Sequence, residues 1–319
     1  MRAHTEAVFS SSETRIPASQ AKAAVASRSI ASGWTQRITE SLFAVLFPSD
    51  CRICGEPLIT ISRLPVCPEC IQAMPPIEGG LCAVCGERRF SPYALADGDS
   101  EIRCGMCQRI EPHFARAVAY GSYEGGLREL IHLLKYEGVR PAANVLGRML
   151  AEAIAEIESA FSAGPIVLVP VPLFRTKLRQ RGFNQAELIA RAALKAGHRP
   201  ERLQLSTRVL ERRRETTSQI GLTRHQRRAN LRGAFALAEP DAIAGREVLL
   251  VDDVYTTGAT ASECARVLRR AGAAKVWVAT VARTLKVSAQ HAEIPFGDNE
   301  GNTETMAVDP VPLAKAAGL

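Results

Sequence analysis

The sequence predicts an α/β protein in which a mostly parallel sheet follows a metal-held, cysteine-rich domain. Three observations predict it. Short apolar runs at residues 166–171, 247–251 and 275–281 alternate with helix-period segments near 184–196 and 261–271, the texture of βαβ units. Eight of the nine cysteines fall in four Cys-x-x-Cys pairs between residues 51 and 107. Finally, the run Val248 to Val251 ends on two aspartates and a loop of threonines and glycine.

Size and composition bound the reading. The 319 residues are 46% hydrophobic and 23% charged, which excludes a wholly disordered or collagen-like chain and leaves room for two domains. No apolar run reaches the roughly 18–20 residues of a membrane helix. The N-terminus lacks the continuous apolar stretch of a signal peptide, so the expected location is cytoplasmic. Net charge is +7, yet residues 175–232 hold 16 Lys and Arg against 4 acids, a local net of +12. Basicity concentrated in this way points to anions, either the phosphates of a small ligand or a nucleic-acid backbone. A solvated basic face is the plainer alternative.

Residues 1–33 are rich in Ala, Ser and Arg without a period, and read as a disordered leader. Trp34, Ile38, Leu42, Phe43, Leu46 and Phe47 recur at helical spacing before Pro48; the helix they form is expected to pack on the domain that follows. Together with the cysteine pairs it makes a domain at 34–112. A sheet domain occupies 113–284, and 285–319 dissolves into a flexible polar tail. Within the sheet domain, 117–123 reads as a strand. Leu127, Leu130, Ile131 and Leu134 form one helical face.

The pairs are Cys51/Cys54, Cys67/Cys70, Cys82/Cys85 and Cys104/Cys107. Little apolar surface lies between them, so the segment cannot fold on a core of its own. A Cys-x-x-Cys turn aims two thiolates at one metal, and tetrahedral zinc takes two such turns. Four turns therefore make two zinc sites. Sequence order favours Cys51, Cys54, Cys67 and Cys70 for one site and Cys82, Cys85, Cys104 and Cys107 for the other, and spacing also allows an interleaved arrangement. An iron–sulfur cluster is the competing use of such thiolates. With four protein ligands each site leaves no position for a catalytic water, so both are structural. Cys264 stands alone inside a helix, as a small core residue does.

The stretch from Val248 to Thr260 carries most of the chemistry. A strand buried on both faces delivers Asp252 and Asp253 to its C-terminal edge, where open α/β sheets bind their ligands. Thr256, Thr257, Gly258, Ala259 and Thr260 then lead into a helix. Backbone N–H groups at that start, with hydroxyls beside them, suit a phosphate monoester. Paired carboxylates accept hydrogen bonds from the two neighbouring hydroxyls of a ribose. No G-x-x-x-x-G-K-[ST] run is present, which argues against a P-loop nucleoside triphosphatase.

These thirteen residues resemble the 5-phosphoribosyl-1-pyrophosphate (PRPP) signature of type I phosphoribosyltransferases. With the cysteine pairs ahead of it, the chain resembles the ComF family of competence-associated proteins from about Leu42 to Thr284. The segments 120–136, 169–172, 181–187, 217–219 and 227–235 carry the resemblance as well. It implies a type I phosphoribosyltransferase-like parallel-sheet domain behind a four-cysteine zinc-ribbon domain. It also implies that Asp252 and Asp253 contact the ribose hydroxyls and that Thr256, Thr257, Gly258, Ala259 and Thr260 hold the 5-phosphate. By the same resemblance, residues 170–181 form a pyrophosphate loop, with Arg175, Lys177, Arg179 and Arg181 acting beside magnesium. A mobile hood falls at about 212–232, with Thr216, Thr217, Ser218, Gln219, Arg224, Arg227 and Arg228. No base-reading pocket is legible, and His132 and His225 read as ordinary helix or loop histidines. The implied function is DNA uptake in natural transformation, with a phosphoribosyl ligand, single-stranded DNA and other DNA-uptake proteins as partners. An active phosphoribosyltransferase with an unidentified acceptor is the alternative.

Overall fold

A computed structural model of the chain describes residues 50–58, 62–89, 102–197, 199–216 and 224–285. The expected leader, the helix at 34–47, the hood residues Thr217, Ser218 and Gln219 and all but the first residue of the expected tail lie outside the described residues.

In chain order the elements are α1 (Pro68–Gln72), α2 (Gly105–Arg109), β1 (Arg116–Ser122), α3 (Gly125–Tyr136), α4 (Ala142–Glu158), β2 (Ile166–Pro170), α5 (Arg175–Arg181) and α6 (Gln185–Ala196). They continue as β3 (Leu203–Leu205), β4 (Leu210–Arg212), α7 (Arg224–Leu231), β5 (Phe235–Leu237), β6 (Glu247–Tyr255), α8 (Ala259–Arg270) and β7 (Lys275–Arg283). Five strands form one parallel sheet in the order β1-β7-β6-β2-β3, while β4 and β5 pair antiparallel as a separate ribbon.

The apolar runs become central strands because both faces of the sheet are covered. Along β2, Ile166 and Leu168 enter one core while Val167 and Val169 enter the other. Leu249 and Val251 of β6 join the first, and Val248 and Leu250 the second. Helices α3, α4 and α6 cover the first face, and all four expected contact residues of α3 are buried. Helix α8 covers the second. Close packing of α4 on α6 requires Gly147, where a Cβ would sit 2.4 Å from the Ala192 Cβ.

The cysteine-rich segment is built into these cores. Cys51, Leu58, Leu64, Val66 and Met74 join the first core, and Cys82, Val84, Cys85 and Cys107 join the second. The two cysteine modules thus straddle the sheet at its β1 edge. Ile77 N–H donates to the Tyr120 carbonyl at 2.7 Å, and Ala117 N–H donates to the Val84 carbonyl at 2.7 Å. An edge strand that would otherwise present unpaired groups is covered.

One expectation is corrected. The basic stretch expected as a pyrophosphate loop is helical over Arg175–Arg181, and only 171–174 forms a loop after β2. Its Arg, Lys, Leu and Gln residues are good helix formers, and nothing stops the helix until Gly182, which caps it at φ 78 in the left-handed region.

Candidate functional site

Strand order alone marks a crevice. The crossover from β2 through α6 runs outward to β3, whereas the crossover from β6 through α8 runs the opposite way to β7. The carboxyl ends of β2 and β6 therefore flank the switch point of the sheet, the usual ligand position in open α/β folds. Asn184 fixes the β2 side: its amide donates to the Val171 carbonyl at 3.0 Å, and its oxygen accepts from Ala186 N–H at 3.1 Å to cap α6.

On the β6 side the fully buried run Val248–Val251 holds the two acids rigidly at the edge. Asp253 is buried, and its Oδ2 lies 2.8 Å from Lys135 Nζ, a cation delivered by the last turn of α3. Burial works against the Lys135 ammonium, but the Asp253 charge overrides it and holds its pKa above the ordinary value. Asp252 accepts from the Asp253 N–H at 2.9 Å. Burial, and then the charge of Asp253, push the Asp252 carboxyl up to about 7, while Lys135 and Arg212 pull the other way.

Arg212 is half-buried at the end of β4, with its guanidinium 5.4 Å from the Phe235 ring centroid and donating to Thr216 Oγ1. Its buried Nε has no partner among the described residues. Burial lowers its pKa, and the charge of Asp252 acts to restore it. Lys135 thus meets the acid pair directly, and the charge of Arg212 acts on Asp252 without a hydrogen bond or ion pair to it among the described residues. In the sequence neither Lys135 nor Arg212 stands out as a partner of the aspartates. The only legible hint is a lysine at the end of an otherwise apolar helix face.

The loop from Thr256 to Thr260 leads from β6 into α8. Gly258 caps α8 at φ 73, and a Cβ there would fall 2.1 Å from the Tyr255 hydroxyl oxygen. No other residue fits that approach. Thr257 Oγ1 is buried without a hydrogen-bond partner among the described residues. Tyr255, which backs the loop, is itself held by Arg283, whose guanidinium lies 5.1 Å from the ring centroid. Arg283 donates to the Cys85 carbonyl and lies 3.1 Å from Glu87. The second cysteine module therefore braces the loop from behind. A cavity of about 280 Å³ lies between them.

The basic residues divide. Arg175, Lys177 and Arg179 are exposed on α5, without an ion pair among the described residues. Arg181 is half-buried; it donates to Gln185 and lies over the Tyr136 ring. Elsewhere in the basic stretch, Arg191 and Arg213 pair with Glu187 and Glu211, and Arg214 donates to the Asn230 and Arg232 carbonyls at the end of α7. His132 is bonded to Tyr123 at 3.0 Å, as an ordinary structural histidine is. For His225, Arg224, Arg227 and Arg228 only the backbone of α7 is described.

Both cysteine groups have the geometry of a metal site. The sulfurs of Cys51, Cys54, Cys67 and Cys70 lie within 4.8 Å of one another, as do those of Cys82, Cys85, Cys104 and Cys107. The pairing is therefore sequential and not interleaved. Cys54 and Cys67 sulfurs are 3.8 Å apart, and Cys85 and Cys104 are 3.6 Å apart. A tetrahedron of thiolates about 2.3 Å from zinc has edges of about 3.8 Å. Backbone N–H groups of Cys67 and Cys104 donate to Cys51 and Cys82 sulfurs at 3.4 and 3.2 Å, which favours the thiolate form. Gly55 and Gly86 follow the first pair of each group at φ 80 and 68.

Residues 42–111 match the family model of the double zinc ribbon domain. DNA utilization protein YhgH of Escherichia coli (strain K12) is 33% identical over 239 residues, which cover 75% of this chain and 98% of that protein. Competence protein F of Haemophilus influenzae is 32% identical, covering 65% of this chain and 91% of that protein. Among solved structures, a hypoxanthine phosphoribosyltransferase of Staphylococcus aureus matches with a TM-score of 0.25 and 13% identity, over 44% of this chain and 64% of that chain. Among the described residues no helix is long and apolar enough to cross a membrane.

Proposed function

The chain belongs to the ComF family, that of DNA utilization protein YhgH and competence protein F, and from that premise we propose that it serves DNA uptake by binding a phosphoribosyl ligand and single-stranded DNA at separate places. The ligand, PRPP or a nucleotide, occupies the crevice between the ends of β2 and β6. Asp252 and Asp253 accept hydrogen bonds from its ribose hydroxyls, and the start of α8 with Thr257 holds its phosphate. Magnesium suits the two carboxylates as hard oxygen donors and would accompany a pyrophosphate group. Deoxyribose lacks one of the hydroxyls that a carboxylate pair takes, so DNA belongs on the basic surface outside the crevice.

One observation carries the ligand reading: Thr257 Oγ1 is buried without a partner in a loop whose glycine is pressed against Tyr255. A buried hydroxyl left unpaired costs about 1–3 kcal/mol, which a phosphate oxygen at that place would recover. Calorimetric titration with PRPP and magnesium tests it. Saturable binding is expected, and Asp253→Asn or Thr257→Ala each weakens it tenfold or more, since a hydrogen bond to a charged group contributes about 1.5–3 kcal/mol. Titration without saturation refutes the reading.

The alternative, an active transferase, draws on the charges of Lys135 and Arg212 acting on the acid pair. In that reaction an acceptor nucleophile attacks C1 of the sugar and the C1–O bond to pyrophosphate breaks. Pyrophosphate then leaves with magnesium. Release of pyrophosphate only in the presence of one acceptor class distinguishes it from binding alone.

A further inference from the structure

Among the described residues three large apolar side chains are exposed, and two of them, Tyr136 and Leu178, lie on α3 and α5, helices that Arg181 joins. Tyr136, the last residue of α3, is 71% exposed, and Leu178 on α5 is 41% exposed. Arg181 joins the two helices, its guanidinium 5.9 Å from the Tyr136 ring centroid. A single exposed apolar residue needs no explanation. This tyrosine, however, is held in place from below. His132 meets its ring edge-on, with centroids 5.1 Å apart at 74°, and His132 is in turn bonded to Tyr123 at 3.0 Å. The ring is thus oriented by its neighbours while most of its surface faces water.

The acid next to it, Glu137, is paired with Arg52 at 2.7 Å, and α5 brings only positive charge to its side. Arg175, Lys177, Arg179 and Arg181 fall within seven residues that contain no acid. On a helix Lys177 and Arg181 share one face, the face that meets Tyr136 through Arg181, while Arg175 and Arg179 share another. A fixed aromatic face beside such cations matches a polyanion that also offers flat π-surfaces. Duplex DNA keeps its base faces stacked inside and offers phosphates and base edges but no free π-face. A single strand offers phosphates and π-faces together.

We propose that Tyr136 is a base-stacking platform for single-stranded DNA, with the α5 cations tracking the phosphates on either side of the stacked base. The proposal rests on the DNA reading above and names where the strand lies: across the ends of α3 and α5, outside the ribose acids. Lys135, which precedes the platform, faces inward to Asp253, so two adjacent residues divide strand from ligand.

The test compares wild-type protein with Tyr136→Ala, Tyr136→Phe and Lys177→Ala in fluorescence-anisotropy titrations of a short oligothymidylate over a range of salt. Thermal midpoints verify that each variant folds. Stacking on an aromatic ring is sequence-tolerant and carries no charge. Tyr136→Ala is therefore expected to weaken binding about 5- to 150-fold with the salt slope unchanged. Tyr136→Phe keeps the ring and binds as the wild type does. Lys177→Ala makes the log–log salt slope shallower by about 0.7. An oligothymidylate bearing one 5-iododeoxyuridine should photo-cross-link to Tyr136. Equal binding by wild type and Tyr136→Ala, or a cross-link confined to other residues, overturns the platform while sparing the DNA reading. Wild-type protein that binds no oligothymidylate removes the DNA reading itself and the platform with it.

Discussion

Lys135 and Asp253 bury opposite charges 2.8 Å apart, with side chains only 14% and 6% exposed. Removing one partner of such a pair leaves the other charged and desolvated, at a cost of about 3–5 kcal/mol. Lys135→Met should therefore lower the unfolding free energy by about that much, and adding Asp253→Asn should recover most of it. Denaturant unfolding of the single and double variants measures the coupling, and a strictly additive pair would show that the ion pair contributes nothing. Asp252 makes a separate prediction through pH. Its carboxyl is raised from 3.8 to about 7, by burial first and then by Asp253. The folded state therefore holds a proton that the unfolded state has lost between these values, and stability falls as pH rises from about 4 to 7. Asp252→Asn should flatten that part of the profile, whereas an identical slope in the variant would assign the pH dependence to other groups. Both acids are legible in the sequence at the end of an apolar run. Their cations are not, because Lys135 and Arg212 reach them only through the sheet order and the fold of β4.

At the scale of elements, legibility follows periodicity. Strands β1, β2, β6 and β7 and helices α3, α6 and α8 all fall where apolar spacing places them. Helix α4 carries the same spacing at Leu146, Met149, Leu150, Ala153, Ile154 and Ile157 and is legible by the same rule; 10 of its 17 residues are buried, since it packs against α3, α6 and the sheet together. The strands β3, β4 and β5 have three residues each, too few for an alternation to show. The basic stretch misleads in another way, because charge count records neither helicity nor local pairing. Among the described residues Arg175, Lys177 and Arg179 stand exposed on α5 without an ion pair, as do Lys195, Arg199, Arg208 and Arg232 elsewhere in the stretch, while Arg214 ties down α7. The difference is measurable in the salt dependence of oligothymidylate binding. Replacing Arg175 and Lys177 together should reduce the slope by about 1.4, whereas Arg214→Ala should leave it near the wild-type value and lower stability instead. Equal slope changes in the two variants would mean that the whole stretch tracks the backbone.

For the whole molecule, the cysteine modules decide how unfolding proceeds. A ribbon domain merely tethered to a sheet domain would lose its metal and unfold alone. Here the first module contributes Leu58, Leu64, Val66 and Met74 to the core under α3 and α4, and the second contributes Val84 to the core under α8. Arg283 carries that second contact to Tyr255 and hence to the loop that opens α8. Structural zinc in a domain without its own core supplies about 10–16 kcal/mol of apparent binding energy. A domain of this size has a net stability of only about 5–15 kcal/mol. Metal loss at either site therefore removes an energy of the same size as the whole net stability, and it also strips cover from β1 and from one core face. Zinc analysis should find two ions per chain, and none, or iron in their place, would remove the basis of the argument. Scanning calorimetry of the holoprotein should show one transition. In excess chelator that transition should move down as a unit, and the affinity for PRPP should fall with it. Cys104→Ser, at the second module, should weaken PRPP more than Cys67→Ser at the first, because among the described residues it is the second module that touches the Arg283–Tyr255 brace. Two calorimetric transitions, the upper one indifferent to chelator, would show instead that the modules and the sheet fold independently.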